Sequence, residues 1–314
     1  VTQSKSHGLT TRATPELTKP KWRNLQLIHN HKKGCEMRQT ARTAVKLAAV
    51  AFVGASAMAS FTMNAHAQKT TEQGIQEYRD MLADGNPAEL VELRGEDIWK
   101  KPQGPKNASL EQCDLGAGPG KLEGAVAVMP RFFTDVGKVM DVETRLVHCM
   151  VTLQGRDVAE ITKKPFSSAG EKPTEMESLV AYVYAQSRGA KIMVPQGHPE
   201  EKASRARGEK IFFYRAGPYD FSCASCHATD DQRIRLQGLP NLTKPEPAQA
   251  AFAAWPAYRV SQGAVRSMQW RMYDCFRQQR FPELKYGSQA AIDLITFLGV
   301  KAEGGTMQAT SLKR

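Results

Sequence analysis

Long hydrophobic runs are scarce in this 314-residue chain. Past residue 67 no stretch approaches the ~18 consecutive apolar residues of a membrane-crossing helix, which excludes a helical span from that part. Sustained alternation of apolar and polar residues is missing too, so no large sheet is expected. Cysteine is sparse, with six in the chain, and no second Cys or His pair stands at a spacing that would complete a four-ligand zinc site. Acidic excess is also absent, since 43 Lys and Arg face 32 Asp and Glu. The basic surplus sits mainly at the front. Residues 1–67 hold ten Lys and Arg but two acids, leaving 33 against 30 in the remaining 247. A balance that even argues for no nucleic acid or other bulk polyanion as partner.

What is present begins with an export signal. Met37 opens a short cationic stretch (Arg38, Arg42, Lys46), followed by the small apolar run Leu47 to Met58 and by Ala65-His66-Ala67. That order is expected of a signal peptide over 37–67, cleaved after Ala67, with an apolar core too short and weak to span a bilayer. Residues 1–36 lie upstream of this initiator without periodicity and are expected to be untranslated or disordered. Export permits disulfides. It also removes Cys35, leaving Cys113, Cys149, Cys223, Cys226 and Cys275.

The most informative stretch is Cys223-Ala-Ser-Cys226-His227. Two thiols separated by two residues can each add across one haem vinyl group, and the adjacent imidazole takes the proximal face of the iron. One covalent haem c is therefore expected. Half a zinc site is the competing reading, and it lacks its other half.

An internal repeat leads into that motif. At a constant offset of 113, Gly95-Glu96 matches Gly208-Glu209, Ile98-Trp99 matches Ile211-Phe212, Gly104-Pro105 matches Gly217-Pro218, and Ser109 matches Ser222. The same register sets Cys113 on Cys226, Leu110 on Cys223 and Asp114 on His227. Leucine forms no thioether and aspartate is a poor proximal ligand. The expected fold is therefore all-α, two tandem cytochrome c-like domains of which the first has lost its haem. Their expected bounds are 68–188 and 200–314, joined by a Pro- and Gly-rich linker over 189–199. Asn86 is expected to cap a helix over 88–100. An apolar helix should close each copy, one over 176–187 and one starting after Ser288 and stopping at Gly299. His148 and His198 are expected on the surface rather than on a metal.

With its haem lost, the space between Cys113 and Cys149 can collapse, and a disulfide is expected to close that loop. Such a bridge contributes on the order of 3–4 kcal/mol through loop-closure entropy. In the second copy, the stretch from Ser267 to Arg280 reads as a helix carrying Met268, Arg271, Met272 and Cys275. Arg271 and Cys275 are four apart and share a face. Methionine opposite His227 would suit an electron carrier; Cys275 thiolate would donate density and lower the potential. A thiolate beside Arg271 and ferric iron is expected to have a depressed pKa, with Arg277 and Arg280 extending the positive field. Met268, Met272 and Cys275 all remain candidates on these grounds.

Arg271-Met-Tyr-Asp-Cys275-Phe-Arg-Gln-Gln-Arg280, the Cys223–His227 motif and the segment from Met129 to Met150 resemble the SoxA subunits of the periplasmic sulfur-oxidising (Sox) system. The resemblance covers nearly all of the chain after residue 67. It implies L-cysteine S-thiosulfotransferase activity, in which thiosulfate is joined oxidatively to a cysteine of a SoxY-type carrier in a SoxYZ pair. It implies Cys275 as distal iron ligand and active-site thiol, found as a persulfide in that family, and Arg271 as substrate ligand. It further implies a small SoxX-type cytochrome bound as a heterodimer and a periplasmic location. Some members carry a second haem in the first domain; Leu110 and Asp114 stand where that site would need Cys and His.

Overall fold

Two glycines set the spacing of the main helix pairs. The computed structural model describes residues 70–83, 85–234 and 237–313. The expected signal peptide and upstream extension lie outside the described residues. In chain order the helices are α1 (Thr71–Ala83), α2 (Ala88–Lys100), α3 (Val142–Thr152), α4 (Val158–Thr162), α5 (Glu175–Ala185), α6 (Pro199–Phe213), α7 (Cys223–His227), α8 (Pro245–Ala253), α9 (Met268–Gln278) and α10 (Gln289–Lys301). Helix α2 packs on α5 at Gly95, where an added Cβ would lie 2.0 Å from the Ser178 carbonyl oxygen. Helix α6 packs on α10 at Gly208, where a Cβ would lie 1.9 Å from the Asp293 carbonyl oxygen. The two halves thus use glycine in the same way, to bring one helix backbone against another.

The fold is mainly helical but not wholly so. Strands β1 (Arg131–Phe133) and β2 (Lys138–Met140) form one hairpin, β3 (Arg233–Ile234) and β4 (Gln237–Gly238) another. Strands β5 (Ala257–Arg259), β6 (Ala264–Arg266) and β7 (Ser311–Lys313) form a sheet in which β5 is central, antiparallel to β6 and parallel to β7. This departs from the all-α expectation for a physical reason. No strand exceeds three residues, so apolar alternation never repeats often enough to register in the sequence.

A contiguous core runs through both halves, from Leu110, Leu146 and Leu179 to Phe212, Leu294 and Phe297, with a smaller cluster around Ala88, Val91, Ala181 and Val265. The expected linker is part of it. Ile192 and Val194 are buried, the Ile192 amide donates to the Gly305 carbonyl (2.8 Å) and the Met193 amide to the Ala127 carbonyl (2.9 Å). His198 caps α6, its Nδ1 accepting from the Glu200 amide at 3.2 Å while the ring stacks on Phe132 at 3.7 Å. Ser288 caps α10 as expected, but that helix runs on past Gly299 to Lys301. Glycine is needed there for packing instead, because a Cβ would meet Val194 Cγ2 at 2.7 Å. Asn86 Oδ1 accepts from the Ala88 amide (3.0 Å), and Thr174 with Glu177 forms a reciprocal cap on α5.

The Cys113–Cys149 disulfide is present, tying α3 to the loop after α2 across 36 residues. Around it, Leu110 is fully buried and the Asp114 carboxylate accepts from the amides of Gly116 (2.6 Å) and Gly118 (2.9 Å).

Two outcomes are expected from this packing. Gly208→Ala should destabilise the haem-loaded protein by about 3 kcal/mol through overpacking, measured by denaturant unfolding. Replacing both Cys113 and Cys149 by Ala should lower stability by roughly 3 to 4 kcal/mol while leaving the haem-to-protein ratio unchanged.

Candidate active site

Three cysteines are free among the described residues: Cys223, Cys226 and Cys275. The first two sit on α7, a single turn held by a reciprocal cap. Ser222 Oγ accepts from the Ser225 amide (3.2 Å) and Ser225 Oγ accepts from the Ser222 amide (2.9 Å). His227 closes the turn with Nδ1 2.9 Å from the Pro240 carbonyl oxygen. A carbonyl only accepts, so Nδ1 must carry the proton and Nε2 keeps its lone pair. Burial, with Arg271 adding to it, holds this imidazole below its ordinary pKa, against the opposing Pro240 bond. The ring is a neutral imidazole whose tautomer the Pro240 carbonyl fixes, as is usual of a metal-binding histidine.

Helix α9 brings the remaining groups, and buried polar bonds fix where it starts. Arg266, just before it, is buried and pairs with buried Glu177 at 2.6 Å, while its guanidinium lies 4.8 Å from the Trp270 ring centre. Ser267 caps the helix by accepting from the Trp270 amide (3.1 Å) and donates to Glu143 Oε1 (3.0 Å). Gln269 Nε2 donates to Asp141 Oδ2 at 2.6 Å. Asp141 and Glu143 stand at the N-terminus of α3, so acids from the first half hold the helix that carries Arg271 and Cys275.

Two adjoining cavities meet at these groups. One is apolar, with Phe212, Leu242, Phe252, Trp255, Met268 and Met272 in its wall. The other is more polar and includes Cys226, Arg259, Asp274 and Gln278. Cys223, His227, Arg271 and Cys275 line both. A haem fits this arrangement by its chemistry: an apolar cavity, two free thiols on one turn at the wall, and an imidazole nitrogen left unprotonated. Among the described residues no cluster of three or more His, Cys, Asp or Glu is arranged to hold a bare ion.

Burial pushes the Cys275 thiol up, and Arg271 and Arg259 pull it back only in part. The depressed value expected beside Arg271 is therefore not produced by the protein's own groups; a thiolate here requires a further positive charge. Cys223 is pushed up to about 12, again chiefly by burial. Arg277 and Arg280 do not extend the field as expected. Arg277 points at Asp274 (2.8 Å), Arg280 lies over the Tyr219 ring (5.5 Å), and neither lines a cavity. Arg259, on β5, takes that place. It escaped sequence reasoning because no spacing relates a strand residue to a helix it meets only through the fold.

Comparison with known proteins decides the family. The family model for the SoxA/TsdA cytochrome c domain matches residues 94–192. The L-cysteine S-thiosulfotransferase subunit SoxA of Hydrogenophilus thermoluteolus is 51% identical over 242 residues, covering 77% of this chain and 88% of that protein. The chain belongs to the SoxA family. A protein of the same name from Hydrogenobacter thermophilus is 31% identical, covering 73% of this chain and 82% of the relative. The crystal structure of SoxXA from P. pantotrophus shares the fold, with TM-score 0.63 at 24% identity over 76% of this chain and 84% of that one. The likeness to this SoxA sequence thus extends over about three quarters of the chain, and the matched family model includes the acids of α3.

Those acids generate a pH-dependence. Burial first, then the neighbouring Asp141 charge, holds the Glu143 carboxyl well above its ordinary value of 4.5. An acid raised in the folded state adds stability that is complete below its unfolded pKa and is lost as pH rises through the folded value. Glu143→Gln keeps a neutral hydrogen-bonding group in place. It should flatten the fall of stability as pH rises above about 4.5 and leave the variant more stable than the parent at alkaline pH, read by denaturant midpoints at each pH.

Proposed function

We propose that this SoxA-family chain is the cytochrome subunit of a periplasmic L-cysteine S-thiosulfotransferase, joining thiosulfate oxidatively to a cysteine of a SoxY-type carrier in a SoxYZ pair. One observation carries the reading: a free thiol, Cys275, and a guanidinium, Arg271, share a cavity wall with Cys223 and His227 of the haem motif.

Cys223 and Cys226 would hold haem c by thioethers, His227 Nε2 would ligate one face and Cys275 Sγ the other. Bound there, haem supplies an electron acceptor beside the thiol. One haem is the proposed complement. The corresponding space in the first half is filled by Leu110 and by the Cys113–Cys149 bridge, and Asp114 is spent on loop amides. The matched glycines at 95 and 208, the register that pairs Cys113 with Cys226, and a cytochrome c family model falling on the half without a haem motif all support duplicated domains over 68–188 and 200–314. Among the described residues no helix is long and apolar enough to cross a membrane, which accords with an exported chain that works beside a small SoxX-type cytochrome.

Arg271 is available for substrate. Its contact with Asp274 is 3.5 Å, at the limit of a hydrogen bond, so the guanidinium fork retains donors for the sulfonate oxygens of thiosulfate. Held there, the terminal sulfur of thiosulfate lies toward the Cys275 wall. Joining that sulfur to Cys275 Sγ would lose the thiol proton and release two electrons, taken up by the SoxX-type partner cytochrome. The carrier thiolate would then attack the thiosulfate-derived sulfur with Cys275 Sγ as the leaving group, by ordinary exchange chemistry, and the more polar cavity is its route of approach. Met268 and Met272 line the apolar cavity alone, whereas Cys275 also borders the polar one. That difference favours the thiol as reagent over a plain carrier with methionine on iron.

Intact-mass measurement should report one covalent haem on a chain beginning at Gln68. Cys275→Ala should change the low-spin EPR signal of the oxidised protein and reduce thiosulfate-dependent turnover to below about one part in a thousand. An unchanged signal with retained turnover sinks the assignment. Arg271→Ala should raise KM for thiosulfate about ten- to hundredfold, the loss of a charged hydrogen-bonding partner.

A further inference from the structure

We propose that Arg259 is the second guanidinium of the substrate site, gripping with Arg271 the sulfonate end of thiosulfate beside Cys275. The inference rests on the reading of that cavity as a thiosulfate site and adds to it a residue that fixes the charge class of the substrate.

Position comes first. Arg259 ends the central strand of its sheet, opposite Ala264 of β6 on one side and Lys313 of β7 on the other. Its backbone is therefore held from both sides, and its side chain lines the polar cavity together with Arg271, Asp274 and Cys275. A strand end braced in this way is a rigid platform for a binding group.

Hydrogen bonding comes second. Arg259 Nε is buried and has no hydrogen-bond partner. Buried arginines that serve only the architecture look different here. Arg266 Nε donates to Gln262 and its Nη1 to Ser167 and Glu177; Arg145 Nε donates to the Asp114 carbonyl and its Nη1 to Asp135. A buried donor without an acceptor is rare in a native protein and calls for a partner. The same side chain lines the polar cavity, where an oxyanion can accept from the rest of its guanidinium.

Charge comes third. Two guanidiniums face this cavity, and burial and the nearness of Arg271 both work against the protonated form of Arg259. The neighbouring carboxylate, Asp274, is already shared by Arg277 (2.8 Å), Gln278 (2.6 Å) and Arg271 (3.5 Å). Among the protein side chains lining this cavity, two guanidiniums thus stand against one carboxylate. A small dianion with several oxygens relieves that repulsion and takes up the free donors, which a neutral sulfur compound does not.

The test uses Arg259→Gln and Arg259→Lys in the haem-loaded chain with its partner cytochrome. Thiosulfate is the probe, titrated calorimetrically without carrier and assayed for KM and kcat with carrier. Arg259→Gln should raise both Kd and KM about ten- to hundredfold with kcat changed less than about threefold, and Arg259→Lys should recover part of the binding. Lys202→Gln, which removes an equal charge from an exposed site on α6, should leave Kd unchanged. Wild-type Kd in Arg259→Gln overturns the proposal, and so does an equal loss in Lys202→Gln, which would show a diffuse field only. Should the parent bind thiosulfate yet transfer it to no carrier thiol, the functional reading fails, while the Kd comparison still judges Arg259. Should Arg259→Gln not fold, the Arg259→Lys titration decides: unweakened binding with unaltered enthalpy counts against the clamp.

Discussion

The buried ion pair between Arg266 and Glu177, at 2.6 Å with both side chains almost wholly out of water, is the constraint on which the rest depends. Either charge alone would be prohibitively desolvated at that depth. Glu177 belongs to α5 in the first half, Arg266 to the residue pair that leads into α9 in the second. The pairing therefore sets where α9 begins, and a helix rises a fixed 1.5 Å per residue. Once Ser267 is placed by its bond to Glu143 and Gln269 by its bond to Asp141, the positions of Arg271 one turn on and Cys275 two turns on follow. A polar network of this kind adds little net stability, but it is satisfied in only one register, which is what a site that must bring a sulfur atom to a defined place requires.

The first half therefore acts on the chemistry without taking part in it. Its own Arg-x-x-x-Cys helix, α3, holds the counterparts of Arg271 and Cys275 in structural use. Arg145 donates to the Asp114 carbonyl and to Asp135 and lies 4.0 Å over the Phe133 ring, and Cys149 is bonded to Cys113. The same residue spacing gives a closed packing unit in one place and an open cavity in the other. What separates them is the surroundings: a partner thiol within reach of Cys149, and a chamber of aromatic and aliphatic side chains beside Cys275.

This contrast also explains what was legible in the sequence. The haem motif, the disulfide, the helices and the cavity-lining role of Arg271 and Cys275 were readable because each depends on short-range spacing: two residues between thiols, four along a helix, a repeat at constant offset. The small sheets were not, because two- and three-residue strands carry no period. The segment 189–199 reads as a linker from its prolines and glycines, yet Ile192 and Val194 are core residues. Composition reports the shape of a backbone and says little about what closes over it. Gly299 was misjudged for a related reason, since glycine past an apolar stripe signals a helix end only when nothing packs against it, and Val194 and Phe252 do.

Charge was the property read least well, because its effect is decided by burial and by partners far apart in the chain. Arg277 and Arg280 follow Cys275 closely in sequence, yet the one pairs with Asp274 and the other lies over the Tyr219 ring. Arg259 is remote in sequence and arrives through a sheet whose third strand comes from residues 311–313. The thiol itself shows the same effect. Neighbouring cations alone would make Cys275 acidic, but desolvation outweighs them, so the protein part of the site stores a neutral thiol and a surplus of guanidinium charge. Such a site favours ligands that bring charge of the missing sign, a cation at sulfur and an anion at the arginines. On the proposed function, a metal at the sulfur and a substrate anion at the arginines would support one another, and the buried helix start at Arg266 would keep their two sub-sites at a fixed separation.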